Sequence, residues 1–229
     1  MTWRPVVLAL ALVALCVPLA FAGDIIAMPT GNMVPAQTAQ LHYIYWDTDP
    51  VGPPGGLVRN YMNIVELHYG VTNRLELDGI TVLPQGMDQV TELNAYYTLI
   101  PESPAHPSLT VGATNLTGSD WLPSSGRPTG DDRISCFVVG AYNLWVPQGP
   151  PSLEHPLLRL HLGAGNNWHE DRLFGGLQMA LSPQLGLGAF NYQGQPAYLA
   201  SYMPWPYLEL NAGWDQGTPV YHVGYTKAF

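Results

Sequence analysis

Beyond residue 36, apolar side chains recur at every second position, and the charged ones fall almost entirely on the other phase. A spacing of two is the period of a β-strand, whose successive side chains point to opposite faces. No window carries the 3.6-residue period of an amphipathic helix. Glycine and proline, 24 and 22 of the 229 residues, interrupt the chain throughout. Read between those turn residues, the alternation predicts twelve strands: 38–45, 61–69, 74–82, 90–99, 109–115, 133–145, 157–165, 172–181, 185–192, 197–203, 207–214 and 220–229.

The phase of the charges separates two architectures. In 157–165, Leu158, Leu160 and Leu162 oppose Arg159, His161 and Gly163; in 207–214, Leu208, Leu210, Ala212 and Trp214 oppose Glu209 and Asn211. In 90–99, Leu93, Ala95, Tyr97 and Leu99 oppose Glu92, Asn94, Tyr96 and Thr98. With phases set from Leu and Val, Glu66, Arg74, Glu76, Asp78, Glu92, Arg133, Arg159, Arg172 and Glu209 share the polar face, and Lys227 alone falls on the apolar one. The phase of 197–203 stays open. A soluble sandwich would turn its polar face to water and fill it with Lys and Glu. Here only 11% of residues are charged, against about 25% in ordinary soluble domains. The polar face is instead rich in Gly, Ser, Asn and Tyr. That composition suits the inverted arrangement, with the apolar face on lipid and the polar face in a lumen. The expected fold is all-β: a closed antiparallel transmembrane β-barrel of about twelve strands. Its lumen would be lined by Glu66, His68, Arg74, Glu76, Asp78, Glu92, Arg159, His161, Arg172, Glu209 and His222. Acids and arginines on that face nearly balance, as expected of paired charges in a confined space.

Connection lengths and the termini set the organisation. Over part of the chain connection lengths alternate: the turns at 72–73, 182–184 and 204–206 are tight and the loops 46–60 and 116–132 are long, with 100–108 and 146–156 as longer exceptions on the tight-turn side. An even strand number puts both chain ends on the short-turn side, with 46–60, 116–132 and 166–171 on the outer side. Residues 1–22 have the features of a secretory signal: Arg4, an apolar stretch, and Ala20-Phe21-Ala22 before Gly23. Residues 23–36 are then a periplasmic lead-in, and 37–229 the barrel. Past the signal one cysteine remains, Cys136, so no intrachain disulfide can form. The net charge of −9 argues against nucleic acid as a partner.

The chain ends Val220-Tyr221-His222-Val223-Gly224-Tyr225-Thr226-Lys227-Ala228-Phe229. This resembles the C-terminal assembly signal of bacterial outer-membrane β-barrels, a terminal Phe preceded by aromatic or apolar residues at alternate positions. Phe229, Tyr225, Val223 and Tyr221 match it; Lys227 departs from it. The stretch from Met28-Pro29-Thr30 to Leu41 resembles the start of barrels associated with exopolysaccharide export. The resemblance implies a Gram-negative outer-membrane location. It implies as partners the lipid bilayer, lipopolysaccharide and the barrel-assembly machinery, with small solutes in the lumen.

Constellations of chemistry are few. His42, His68 and His222 come from strands that become neighbours on closure, but at different heights, so the expectation is no metal and no cofactor. Asp131-Asp132 and Trp168-His169-Glu170-Asp171 place Asp and His at the outer rim, similar to omptin proteases in residue type, with no omptin motif matched. Outer-membrane phospholipases use a His on the lipid face, and none falls on that phase here. Gly163-Ala164-Gly165 lacks a phosphate-loop context and reads as close packing in a strand. No catalytic residue is assigned. The expected role is a small passive channel or structural membrane component. The alternatives are an outer-rim, omptin-like hydrolase on the same barrel, or a secreted soluble β-rich domain.

Overall fold

A computed structural model describes residues 31–48, 60–84, 89–118, 134–166, 172–192, 194–215 and 217–229. The twelve strands are β1 (Thr38–Thr48), β2 (Asn60–Gly70), β3 (Leu75–Pro84), β4 (Val90–Ile100), β5 (Ser108–Thr114) and β6 (Ser135–Trp145). They continue with β7 (Leu157–Gly165), β8 (Arg172–Ala180), β9 (Leu185–Tyr192), β10 (Gln195–Trp205), β11 (Leu208–Asp215) and β12 (Thr218–Ala228). Each pairs antiparallel with its sequence neighbours, and β1 closes on β12, with Tyr45 opposite Tyr221 and His42 opposite Gly224. Closure leaves no unpaired strand edge, the condition for a sheet in hydrocarbon. An eleven-residue strand such as β1 extends about 37 Å. At the usual 35–45° tilt it rises roughly 26–30 Å, enough for the apolar band of a bilayer.

The alternation becomes an inside-out barrel. In β4, Leu93, Tyr97 and Leu99 are exposed while Glu92, Asn94, Tyr96 and Thr98 are buried. The open phase of the tenth strand resolves with Tyr198 and Tyr202 outward and Ala197 and Ser201 buried. Exposed and half-buried aromatics gather at both ends of the wall. Tyr45 stacks on Tyr61 and approaches Tyr221 at one end; Trp205 stacks on Tyr207, which meets Tyr225, at the other. Amphipathic rings favour the depth of the headgroups. Of the terminal segment, Tyr221, Val223, Tyr225 and Phe229 all face outward. The Phe229 N–H donates to the Gln37 carbonyl at 2.9 Å, tying the chain end to the start of β1. Lys227 lies 5.1 Å from the Phe229 ring centroid, so the departing residue finds a cation–π partner.

One expectation changes. Arg74 does not belong to β3: the strand begins at Leu75, and Arg74 is exposed in the turn 71–74. There the Thr72 hydroxyl accepts from the N–H groups of Arg74 and Leu75 at 3.1 and 2.9 Å, closing a side-chain turn that releases Arg74 from the wall. As the sequence spacing already indicates, connection length divides the two ends only in part: two residues separate β9 from β10 and β11 from β12 at the end of the long connections.

The interior is filled. Phe137, Phe174 and Phe190 form one buried cluster with Tyr96, Val139 and Ala197; Ile44, Met62, Ile64, Val82 and Val220 form another. The rings lie over glycines of the paired strand: Gly112 opposite Phe137, Gly163 opposite Phe174, Gly176 opposite Phe190. A Cβ on these glycines would sit 2.3, 2.4 and 2.2 Å from the ring beside it. The glycines are therefore the space that the phenylalanines occupy. Gly163→Val is expected to lower folding stability by about 1–3 kcal/mol, the usual cost of overpacking. Denaturant titration in detergent checks this, and Gly79→Val, where a Cβ meets nothing within 4 Å, is the matched control.

Candidate functional site

The lumen-facing side chains of β1 to β4 and of β11 and β12 converge on one polar cluster. His42 pairs with Glu66 across β1 and β2, and His68 with Asp78 across β2 and β3. The His68 ring is held on both sides: Nδ1 lies 3.0 Å from Glu76 Oε1 and 3.9 Å from Asp78 Oδ1, and Nε2 lies 3.4 Å from Glu66 Oε2. His42 Nδ1 is 3.8 Å from the same Glu66 oxygen. The other Asp78 oxygen accepts from Asn94 Nδ2 at 3.0 Å and from the Tyr96 hydroxyl at 3.3 Å. His222 packs edge-on to His42, centroids 4.5 Å apart, and its Nδ1 takes the Asn211 amide N–H at 2.6 Å. Glu209 accepts from the Ser201 hydroxyl at 3.0 Å.

These groups are withdrawn from water: His68, Glu76 and Asp78 are each 1% exposed. A buried charge needs a partner or it is expensive. The expected arginine partners are elsewhere. Arg74 is in its exposed turn. Arg159 is half-buried and pairs with Glu102 of the connection after β4 and with Asn143 Oδ1 at 3.0 Å. Glu102 also accepts the Asn143 backbone N–H at 2.8 Å, so it anchors that connection to the wall. No pattern marks Glu102, because it sits outside the strands. The side chain of Arg172 lies outside the described residues, as do Asp131, Asp132 and His169 to Asp171. His161 is remote from the cluster and bonds Gln178 at 2.7 Å. Among the described residues, the ion pairs of Glu66, Glu76 and Asp78 are to histidine alone.

The residues just before β1 complete the site. The chain turns at Gln37, whose φ of 58° is left-handed, and residues 31–36 run into the barrel mouth. Val34 is fully buried, with its N–H on Glu76 Oε2 at 2.7 Å, and Met33 packs against the phenylalanine cluster. The part of the lead-in that is described thus occupies the lumen. Gly70 permits this approach: a Cβ there would lie 2.0 Å from the Pro35 carbonyl oxygen.

No protein-family model matches the chain, and no curated protein does. Solved structures do match it. The chain is similar to the KdgM porin at a TM-score of 0.51 and 12% identity, over 84% of this chain and 99% of that one. It matches the COG4313 outer membrane channel from Pseudomonas putida F1 at a TM-score of 0.42 and 15% identity, over 86% and 97%. It matches the Acinetobacter baumannii outer membrane protein Omp33 at a TM-score of 0.48 and 11% identity, over 85% and 98%. The likeness to the KdgM porin is one of fold, a β-barrel of the outer-membrane type.

Proposed function

We propose that this chain sits in the bacterial outer membrane and acts as a small passive channel with a narrow lumen. The observation that carries the reading is the inversion of the barrel wall, apolar outside and carboxylate-rich within. The shared fold with a protein described as a porin supports it. The packed interior favours a second reading, a structural barrel that does not conduct. An outer-rim hydrolase would need Asp131, Asp132, His169 and Asp171, which lie outside the described residues. The long connections 46–60, 116–132 and 166–171 would face outward, with both chain ends in the periplasm.

The displaced arginines set the expected selectivity. Glu66, Glu76, Asp78 and Glu92 are buried on the lumen side and Glu209 bonds the buried Ser201 there, while Arg74 is in a turn and Arg159 is bound to Glu102. Fixed charge of one sign concentrates counter-ions in a low-dielectric passage, and salt screens the effect. Planar bilayers under a KCl gradient should therefore give small, cation-preferring conductance, strongest at low salt. Glu92 Oε1 has no hydrogen-bond partner, so Glu92→Gln should reduce that preference without disturbing the fold. Correctly folded protein that never conducts would support the structural reading. Hydrolysis of lipid or peptide, lost on changing His169 or Asp171, would support the enzyme.

A further inference from the structure

We propose that His42, Glu66 and His68 form a binding site for a divalent transition metal inside the barrel. The site rests on the geometry of the cluster and not on the channel reading. One ligand atom from each residue lies within 4.8 Å of the other two, and all three residues are buried. Bonds of about 2.0–2.1 Å to a tetrahedral ion put neighbouring ligand atoms roughly 3.3 Å apart. The separations to Glu66 Oε2, 3.4 Å from His68 Nε2 and 3.8 Å from His42 Nδ1, are close to that edge.

Three further features point to a cation rather than to a self-contained polar network. His42 is 2% exposed, and its Nδ1, aimed toward Glu66, has no hydrogen-bond partner. His68 has the orientation that a metal-ligating histidine takes. Its Nδ1 lies 3.0 Å from Glu76 Oε1, a carboxylate that would hold the Nδ1–H tautomer and turn Nε2, 3.4 Å from Glu66 Oε2, to the metal. Glu76 is itself fixed by the Val34 N–H. Last, the carboxylates around the cluster exceed their cationic partners, and Asp78 Oδ1 and Glu92 Oε1 have no hydrogen-bond partner. A bound dication supplies the missing charge. Two imidazoles with one carboxylate favour zinc, cobalt, nickel or copper over magnesium or calcium, which take oxygen donors. His222 packs edge-on against His42 without joining the convergent ligand atoms, so water completes the shell of the ion. Gly224 leaves room for the rings, because a Cβ there would lie 3.0 Å from His42 Cδ2 and 3.4 Å from His222 Nε2.

The test uses the folded full-length barrel in detergent, stripped with a chelator and titrated with Co²⁺ by visible absorption and with Zn²⁺ by calorimetry. The expected result is one equivalent per chain, ligand-field bands of a nitrogen-containing site, and a higher unfolding temperature with Zn²⁺. His42→Ala and Glu66→Gln should weaken binding more than tenfold. Glu76→Gln, which removes only the orienting carboxylate, should weaken it about 10–100-fold. Exposed His106→Ala and His155→Ala should leave it unchanged. Should the site variants fail to fold, the wild-type stoichiometry and the Zn²⁺-dependent thermal shift still decide. Folded wild-type protein that takes up no metal overturns the proposal. So does uptake that survives His42→Ala and Glu66→Gln but is lost with the exposed histidines.

Discussion

Gly70→Val is expected to raise the conductance of the reconstituted barrel several-fold. The new side chain would place its Cβ 2.0 Å from the Pro35 carbonyl oxygen and 2.5 Å from that of Val34, both backbone atoms that no rotamer change can move. Either the wall or the inserted segment must yield. The wall is held by continuous ladders on both sides of β2. The segment is tied by single bonds rather than a ladder, among them the Val34 N–H on Glu76, the Ala36 N–H on Asn73 at 3.2 Å, the Thr38 N–H on the Pro35 carbonyl at 3.2 Å and the Gln37 N–H on the Gly70 carbonyl, with the packing of Met33 and Val34. A hydrogen bond to a charged group contributes about 1.5–3 kcal/mol and a neutral one about 1, so the segment is the weaker side. Its exit leaves the lumen wider between Glu76 and the phenylalanine cluster. Deleting residues 24–34 from the mature chain should have the same effect. Single-channel recording compares the three proteins, and equal conductance in all of them would mean that residues 31–34 do not limit the path.

A single arginine on the outer wall should cost more than any surface change elsewhere. Leu177 and Leu210 are exposed on β8 and β11, within the apolar band. Arginine near the bilayer midplane of such a barrel costs about 2–4 kcal/mol, a large share of the 5–15 kcal/mol that holds a typical domain. Leu177→Arg and Leu210→Arg should therefore sharply lower the yield of folded, heat-modifiable barrel. Leu153→Arg, at 77% exposure in the connection before β7, should change stability by no more than about 0.5 kcal/mol. In a soluble β-protein the three substitutions would rank together, since all three would already face water.

The contrast between these two predictions follows what the sequence makes legible. The wall is legible because its code is local: a strand repeats every two residues, and one misplaced phase would expose a run of charges to lipid. Glu66, Glu76, Asp78 and Glu92 could be assigned to one face on that ground alone. Their partners could not, because pairing depends on register and stagger. Counted along their own strands, His42, His68 and His222 stand at different heights. In the closed barrel Ile44 opposes His222 and Gln40 opposes His68, so His42 is a diagonal neighbour of both, within reach of long side chains. The position of Arg74 depends on a turn contact rather than on the period. Its phase fits the lumen, but the turn closed by the Thr72 hydroxyl makes the strand begin one residue later, at Leu75. The inserted segment at 31–36 has no period at all, and only Gly70, at a position where a side chain would collide, marks it after the fact.

The claim beneath all of this is that the apolar phase meets lipid. Nitroxide labels carried one at a time through β4 in reconstituted vesicles test it most directly, by collision with oxygen, which partitions into lipid, and with a water-soluble nickel complex. The account predicts high oxygen and low nickel accessibility at positions 93, 95, 97 and 99, with immobile, shielded labels at 92, 94, 96 and 98. Nickel accessibility at the odd positions, equal to that of a soluble surface, would contradict it.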